Sequence, residues 1–585
     1  MKRIAWVLAV VVLSAAVLVL LFVWLLPRDT LKTRVGEQIA AWTGRDVSLR
    51  GEPELDFFPE LTVTLQDVQV SGPRGMEDAE LMSMDRLTGT VRLLPLIIGQ
   101  VEIGSFTLVR PRVRLVLDQS GARNWAFDSG AAALQLAFAG DVPLGQFVLE
   151  DGTVLYENRQ DGTTERLDSV NLTVDWGSVR HPIKVGGFGI WRGEQVSFSG
   201  NAESPFAFLR GDSTPVDARF DSAPLAMLFT GAADDINAPR LTGELTMSTL
   251  SLRGFASWLG SPIGPGSTLG TASLSGTASF RDAMLSVQDA KLSLDGNQAT
   301  GAVDVAVAAR PTITGTLAFP ELDLTSYFAG FADGFGAGGN WRSIALETSW
   351  FDDLSADIRL SAGSARIGAL NFGDTAASVS LRDSRLEIGL AGAAFNGGSL
   401  SGALAVTHSA DAAPLVEVQM RGTEFDIAQV AQALGRPPSL AGSASVATDI
   451  ESRGTDLGSL VTGLSGTARL DLKAGAFPLL GIAEIAVGGE GANPQQTGIA
   501  AASPVKGLAI GFSLAGGVAV LERASVSALS FIADAKGWIG LLDGSLGLNG
   551  SVTPSVPGAA PAPAIPFTIG GTLTQPSARP LAAVN

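Results

Sequence analysis

Apolar and polar residues alternate with a period of two over most of this chain, and this pattern limits the folds open to it. Successive side chains of a β-strand point to opposite faces of a sheet, so the alternation predicts strands with one apolar face. Few segments have the length and spacing of helices that would cover such a face. The sheet must therefore cover itself, as a filled core or as a trough for an apolar guest, and alternation alone favours the filled core.

Composition supports a folded, mostly β chain and excludes several functions. The 585 residues are 46% hydrophobic and include 70 glycines, which is typical of a β protein with many turns. The chain contains no cysteine, so it has neither disulfides nor thiolate metal sites. Its 58 acidic residues outnumber 40 Lys and Arg, which disfavours nucleic acid and anionic surfaces as partners.

Two stretches align without gaps and indicate a repeated β unit: AMLSVQDAKLSLDGNQATGAVDVAV and SRLEIGLAGAAFNGGSLSGALAVTH. The alignment places Gly296 over Gly397 and Gly301 over Gly402. We expect Gly301 and Gly402 to occupy the same point of a strand or turn, where a side chain would crowd the neighbouring backbone.

A second mark of the repeat recurs at intervals of about 102 residues. It consists of an apolar residue followed by an aspartate, at Asp221, Asp323 and Asp426. A short stretch of helical character follows each aspartate, as in FDIAQVAQALG. We therefore expect these aspartates to be helix N-caps.

The first residues predict a membrane anchor. Residues 4–26 carry no charge and would span roughly 35 Å as a helix. A cleaved signal peptide would have a shorter apolar core and a small-residue cleavage site, and neither is present. Members of the predicted anchor include Ile4, Trp6, Leu13, Leu20, Phe22, Trp24 and Leu26. A short amphipathic helix is expected next, over residues 29–43.

Three strands supply candidates for the lining of a trough. In each strand the apolar residues occupy alternate positions and therefore share one face. In the second strand Arg110, Arg112 and Arg114 occupy the positions between them and are expected to form a solvated outer face. In the first strand the parity slips at Gln66-Asp67, which predicts a bulge or bend. The candidate groove residues are Leu61, Val63, Leu65, Val113, Leu115, Leu117, Leu292 and Leu294.

Catalysis has little to build on in this sequence. The chain has two histidines, His181 and His408, and no cysteine, so a nucleophile paired with histidine is not expected. Adjacent acids such as Asp352-Asp353 are typical of solvated turns. The glycine-rich stretches GPGSTLG and GFGAGG lack the Lys-Ser/Thr ending of a phosphate loop. We expect no enzymatic activity, no cofactor and no metal.

Several motifs resemble those of the AsmA family of Gram-negative envelope proteins. They comprise an anchor followed by a helix, Thr-Gly-Arg ending at Arg45, Phe58-Pro59, Leu-Leu-Pro-Leu ending at Leu96, and G-x-x-N-W ending at Trp125. The late stretches GSASVATDIESRGTDLGSLVTGLSGTARLDLKAGAF and IPFTIGGTLTQPSARP also resemble that family. The resemblance covers nearly the full chain.

This resemblance implies a fold similar to that of chorein-type bridge-like lipid-transfer proteins. The expected fold is mostly β, with an N-terminal transmembrane helix followed by an elongated, curved, repeat-built antiparallel sheet that forms a groove, and a few short helices. The expected parts are the anchor at 1–27, an AsmA-like N-terminal region at 28–180, a repeat β region at 181–440 and an AsmA-like C-terminal region at 441–585.

The resemblance also implies a location and a function. The protein is expected in the bacterial inner membrane, single-pass, with its N-terminus cytoplasmic and its body in the periplasm. Phospholipid acyl chains would ride in the groove in support of outer-membrane biogenesis and integrity, and an envelope protein partner would complete the route. In the alternative hypothesis the apolar face is a filled core, and exposed sheet edges recruit outer-membrane proteins by strand addition.

Overall fold

The computed structural model describes most of the chain beyond its first 46 residues. The predicted anchor and the helix expected over 29–43 lie outside the described residues. Within the described part of the chain, no helix has the length and apolar character needed to cross a membrane. The described residues are 47–51, 54–56, 61–72, 80–91, 103–125, 143–234, 240–263, 268–308, 310–328, 341–433, 441–486, 502–555 and 562–581.

The described residues are mostly β, as the alternation predicts. The strands are β1 Val47–Leu49, β2 Glu54–Asp56, β3 Leu61–Val70, β4 Met82–Val91, β5 Ile103–Val109, β6 Arg112–Leu117, β7 Pro143–Asn158, β8 Thr164–Ser178, β9 Ile183–Trp191, β10 Glu194–Ala202, β11 Thr214–Ser222, β12 Ala226–Asp234, β13 Arg240–Thr249, β14 Ala272–Arg281, β15 Met284–Leu294, β16 Asn297–Ala306, β17 Thr312–Asp323, β18 Ser355–Ile367, β19 Leu370–Arg382, β20 Arg385–Phe395, β21 Gly398–Thr407, β22 Leu415–Asp426, β23 Ala441–Arg453, β24 Ser465–Pro478, β25 Ala502–Ala515, β26 Val518–Ala528, β27 Phe531–Gly540, β28 Ser545–Pro554, β29 Ile565–Thr572 and β30 Gln575–Pro580.

Helices are short. The α-helices are α1 Pro205–Leu209, α2 Leu252–Leu259, α3 Ile427–Ala433, α4 Leu457–Thr462 and α5 Ile482–Ala486. Two 3₁₀ turns, Trp341–Ser343 and Ser349–Asp352, precede β18, and residues 325–328 form one helical turn after β17.

The chain divides into two compact units. The first comprises Met1–Thr249 and Thr277–Asp282, and the second comprises Leu250–Gly276 and Ala283–Asn585. In the first unit, β7 to β13 pair with their sequence neighbours in antiparallel register. In the second unit, β18 to β30 do the same.

The expectation of a purely antiparallel sheet is wrong at three described pairings. Strand β7 pairs in parallel with both β5 and β6, and β17 pairs in parallel with β18. A parallel pair requires a crossover of a dozen or more residues, because a tight hairpin reverses the strand direction. The long connections 118–142 and 324–354 provide that length.

Residues with left-handed backbone interrupt several strands. Asp67, predicted to mark a slip in β3, has φ 52°, and Leu65 and Val68 on either side of it belong to one buried cluster. This confirms the slip. In the second unit, Asp289 has φ 49° where the β15–β16 register shifts, and Glu424 has φ 54° where the β22–β23 register shifts. Such bulges bend a strand and increase its twist.

The structure confirms the equivalence of the aligned glycines. Gly301 and Gly402 are each the fifth residue of their strand, opposite Leu317 and Met420 respectively. Gly296 and Gly397 have φ 87° and 84° in the preceding turns.

Replacing Gly301 or Gly402 with alanine is expected to destabilise the second unit. An added Cβ would lie 1.9 Å from Thr316 O at position 301 and 2.3 Å from Gln419 O at position 402, so the neighbouring strand must move. We expect a loss of about 1–3 kcal/mol of unfolding free energy for each, as in overpacked sites. Chemical unfolding measures it, with Gly392→Ala as the control, because no atom lies within 4 Å of a Cβ there. Equal stabilities for all three variants would contradict the crowding.

The aspartates of the repeat behave differently from one another. The Asp323 carboxylate accepts the Thr325 N–H at 2.9 Å, and Asp426 accepts the Ala428 N–H at 2.9 Å at the start of α3. Asp221 instead pairs with Arg219 and is followed by the turn into β12. The N-cap prediction is therefore confirmed at Asp426, which directly precedes α3, and wrong at Asp221; Asp323 binds the first N–H of the 325–328 turn from one residue further away.

Candidate functional site

One face of the second unit collects apolar side chains, because residues paired across neighbouring strands point to the same side of the sheet. The register of the paired strands places these residues on one side of the sheet from β15 to β22 and onward to β30. We call this surface the apolar face. Its members include Leu285, Val287, Leu292, Leu294, Val303, Leu317, Leu360, Val379, Ile388, Leu404, Met420, Ile450, Leu472, Leu508, Leu548 and Ile569.

At its carboxyl-terminal end the apolar face is filled. Residues of β23 to β30 form one buried cluster, in which Val552, Phe567 and Ile569 are almost fully inaccessible. Helix α5 lies on this part of the face and contributes Ile482 and Ile485 to the cluster. This part is a closed core, as in a sandwich.

Further toward the amino terminus the same face is open. Ile388, Leu404 and Met420 are 39%, 36% and 37% exposed, although they lie on the apolar side of β20, β21 and β22. Ile388 is directly opposite Leu404 in the register. We call the part of the face around these three residues the open stretch.

A strap of residues 341–354 forms one border of the open stretch. Its Phe351 is buried against Leu381 and Val406, whereas Leu386 packs at the edge of this cluster. The Arg310 guanidinium donates a hydrogen bond of 3.0 Å to the Phe351 carbonyl.

The strap is fixed at two further points. The His408 ring nitrogen Nδ1 lies 2.9 Å from the Thr348 hydroxyl, and the Leu457 N–H at the start of α4 donates to Ile344 O at 3.1 Å. This border is therefore built into the fold.

Three aromatic rings form the opposite border. Phe395 stacks on Phe372 at 5.1 Å and lies 5.6 Å from Phe425, and these contacts lead into the closed core. The nine residue-to-residue steps from Leu386 to Phe395 along β20 place the two borders about 30 Å apart. Between the borders, the described residues on this face are uncharged: Ile358, Leu360, Ala377, Val379, Ile388, Leu390, Gly402, Leu404, Val418 and Met420. Such a surface suits hydrocarbon and offers no site for a charged group.

The candidate groove residues of β3 lie on the apolar side of the first unit. Leu65 is buried opposite Leu87, and Val63 is half-buried opposite Gly89. Leu61, at the start of the strand, is half-buried as well. Their contact with lipid remains a prediction.

The candidates of β6 share that side. Val113 and Leu115 pair with Val154 and Tyr156 of β7, and with Leu117 they are half-buried. Register from β4 through β5 to β7 places the β3 and β6 candidates on one face.

Leu292 and Leu294 are half-buried on the apolar face of the second unit, opposite Ala299 and Asn297. The buried Val287 and Ala290 lie on the same side of β15. The predicted anchor residues, from Ile4 to Leu26, lie outside the described residues.

The arginines predicted to face away from the groove engage carboxylates. Arg114 pairs with Glu157 at 2.8 Å, and Arg110 pairs with Asp85 at 2.7 Å. Arg112 is exposed. All three are therefore consistent with an outer, polar face.

Sequence reasoning did not single out Ile388, Leu404 or Met420. Their strands alternate as clearly as the chosen ones, in RLEIGL and SGALAVT. Alternation assigns a residue to a face of the sheet but does not indicate whether another element packs over that face. The sequence pattern therefore contained no signal that these three residues are exposed.

Comparison with known proteins identifies one family. Residues 1–257 match the model of the AsmA family. No curated protein and no solved structure matches the chain. The matched range contains the Thr-Gly-Arg, Phe-Pro, Leu-Leu-Pro-Leu and G-x-x-N-W motifs. The amino-terminal part of the chain, residues 1–257, is therefore similar to the AsmA family, a similarity that suggests an envelope-related function.

Proposed function

We propose that this protein binds phospholipid acyl chains on its apolar face and carries them between the membranes of a bacterial envelope. The observation that supports this proposal is the open stretch, where Ile388, Leu404 and Met420 remain exposed on a face that is a closed core at its carboxyl-terminal end. A large apolar surface left in water between two fixed borders is typical of a binding site for an apolar ligand.

The chemistry of the open stretch selects the hydrocarbon part of a lipid. Each methylene buried there contributes about 0.8 kcal/mol, and no charged residue of the described lining opposes an apolar guest. A head group would lose its hydration on this surface without gaining a partner, so it must remain in water at the rim. Similar affinity along the face would allow a chain to move without a large barrier.

The alternative, an assembly factor that adds strands at its sheet edges, has little support at β30. Among the described strands β30 pairs only with β29, and Leu581 N–H donates back to Pro566 O at 2.8 Å. The backbone N–H and C=O groups of the odd-numbered residues of β30 thus point toward β29. The backbone groups of Pro576, Ala578 and Pro580 point toward the free edge of the sheet. Prolines have no N–H, so two of these three positions cannot pair with an added strand.

Leu404→Glu is expected to leave the protein folded and to reduce its bound phospholipid severalfold. The carboxylate at this 36%-exposed position can reach water, yet it obstructs burial of an acyl chain. Mass spectrometry of lipid that co-purifies with the full chain measures the loss, and thermal unfolding confirms the fold.

The matched control is Ser401→Glu on the other face of β21, directly opposite Arg421. Lipid held by a membrane anchor is common to both variants, so the difference between them reports the apolar face alone. Equal lipid content in the two variants would rule out the open stretch as the binding site.

We further propose that the body lies in the periplasm behind an inner-membrane anchor at residues 4–26, with the N-terminus in the cytoplasm. The uncharged length of that segment and the match of residues 1–257 to the AsmA family support this proposal. A phosphatase that is active only after export should be active when fused after Asn585. Activity of a cytoplasm-only reporter at that position would reverse the assignment.

A further inference from the structure

Helix α2 of the second unit presents apolar side chains to solvent. Leu259 at its end is 42% exposed, and Leu250, two residues before its first turn, is 81% exposed. The helix is amphipathic, with Leu252, Phe255 and Leu259 on one side, and none of its residues is buried. Leu252 and Phe255 are half-buried, whereas Leu259 and Leu250 remain in water, and the exposure of these two leucines requires an explanation.

The exposure does not come from a loosely attached helix. The Ser251 hydroxyl accepts the Gly254 N–H at 2.9 Å, and Gly260 ends the helix with φ 95°. Leu252 N–H donates to Gly270 O at 2.7 Å, and Arg253 N–H donates to Leu269 O at 3.0 Å. The first turn of α2 is thus bound to residues 269–270, and the helix ends at a defined cap.

The Asp295 carboxylate binds both the loop that follows α2 and a second exposed apolar element, the turn 325–328. Asp295, in the turn between β15 and β16, accepts the N–H groups of Leu269 and Gly270 at 2.8 Å each. It also accepts the Tyr327 hydroxyl at 2.7 Å, and burial together with this bond raises the pKa of that hydroxyl. The next residue, Phe328, is 42% exposed. Asp295 therefore joins the α2 region and the 325–328 turn at one end of the sheet.

The sequence around α2 is nearly free of charge. Arg253 is the one charged residue between Glu244 and Arg281, in a chain that carries 58 acidic and 40 basic residues. Its guanidinium donates to the carbonyls of Ile263 at 3.0 Å and Thr268 at 3.2 Å. The segment from Leu245 to Phe280 thus contributes no carboxylate of its own, although the chain as a whole has a net charge of −18, and the neighbouring Asp295 carboxylate is engaged by three hydrogen bonds.

We propose that α2, with Leu250 and Leu259, is a membrane-surface contact that inserts these side chains into the boundary between head groups and acyl chains. Short amphipathic helices bind bilayers in this way through their apolar side. A protein partner would be expected to meet a polar or charged rim around an apolar centre, and the stretch from Leu245 to Phe280 offers almost no charge for one. The proposed contact does not require the apolar face to carry lipid.

The absence of cysteine allows a local test on the full chain. Single-cysteine variants Leu259→Cys and Ser257→Cys, on opposite sides of the same helix, are labelled with a small fluorophore and reconstituted into mixed phosphatidylcholine and phosphatidylglycerol vesicles that contain brominated lipid. We expect quenching at position 259 to exceed that at position 257 by at least about twofold. A Leu250→Glu substitution in the Leu259→Cys chain is expected to abolish the difference.

Two outcomes would overturn the membrane contact. Equal quenching at positions 257 and 259 would show that the apolar side does not enter the bilayer. A label at position 259 that is shielded from aqueous iodide but not quenched by brominated lipid would show that protein covers the helix instead. Because the readout is local to α2, a loss of lipid from the apolar face would not change it.

Discussion

Leu548→Glu is expected to unfold the carboxyl-terminal part of the second unit, whereas Leu404→Glu on the same apolar face leaves it folded. Leu548 is buried in the closed core, where it lies opposite Gly537 and Ile569 on the neighbouring strands. A carboxylate there has no partner and no route to water. The cost is several kcal/mol, a large part of the about 5–15 kcal/mol that stabilises a typical domain.

Asn549→Glu is the matched control for this prediction. Asn549 is the next residue of β28, exposed on the other face and directly opposite Lys536, so a carboxylate is tolerated there. Circular dichroism and thermal unfolding of the three variants provide the comparison. A Leu548→Glu protein that melts like the control would show that the carboxyl-terminal part of the face is not a closed core.

This pair of outcomes addresses the question that alternation left open. The choice between a filled core and a trough was posed for the whole face, and the structure contains both arrangements on one unit. The closed part has α5 as its cover, with Ile485 among the buried residues. The open stretch has borders but, among the described residues, no element packed over Leu404.

The sequence predicted the faces of the strands well, because the period of two is a local property. Leu115 and Arg114 point to opposite sides of β6, as their parity requires. The slip at Asp67 was also readable, since the apolar positions change parity there. Gly301 and Gly402 were recognised because the crowding that excludes a side chain recurs in both copies of the repeat.

The cover could not be read from the sequence, because it depends on contacts between distant residues. His408 meets Thr348 across 60 residues, and Arg342 donates to the Leu542 carbonyl across 200 residues. The strap that borders the open stretch has no alternation or helical spacing of its own. Parallel pairing of β17 with β18 was missed for a similar reason, since strand direction depends on the path of residues 324–354.

The G-x-x-N-W motif, which the sequence offered only as a family resemblance, has a physical role in the structure. Asn124 is completely buried, and its side-chain oxygen accepts the Val116 N–H at 2.8 Å. Its side-chain nitrogen donates to Arg114 O at 2.7 Å. The amide thus replaces a neighbouring strand along the edge of β6, whose other edge pairs with β7. Gly121, with φ 87°, allows the turn that returns the chain to this edge.

Asn124→Ala is therefore expected to destabilise the first unit by about 2–6 kcal/mol. The change leaves the Val116 N–H and the Arg114 carbonyl without partners, and each unpaired buried group costs about 1–3 kcal/mol. Chemical unfolding measures the loss, and hydrogen exchange at the Val116 amide should accelerate. Arg123→Ala is the control, since Arg123 is exposed in the same turn. Unchanged exchange at Val116 in the Asn124→Ala protein would mean that the side chain does not complete this edge.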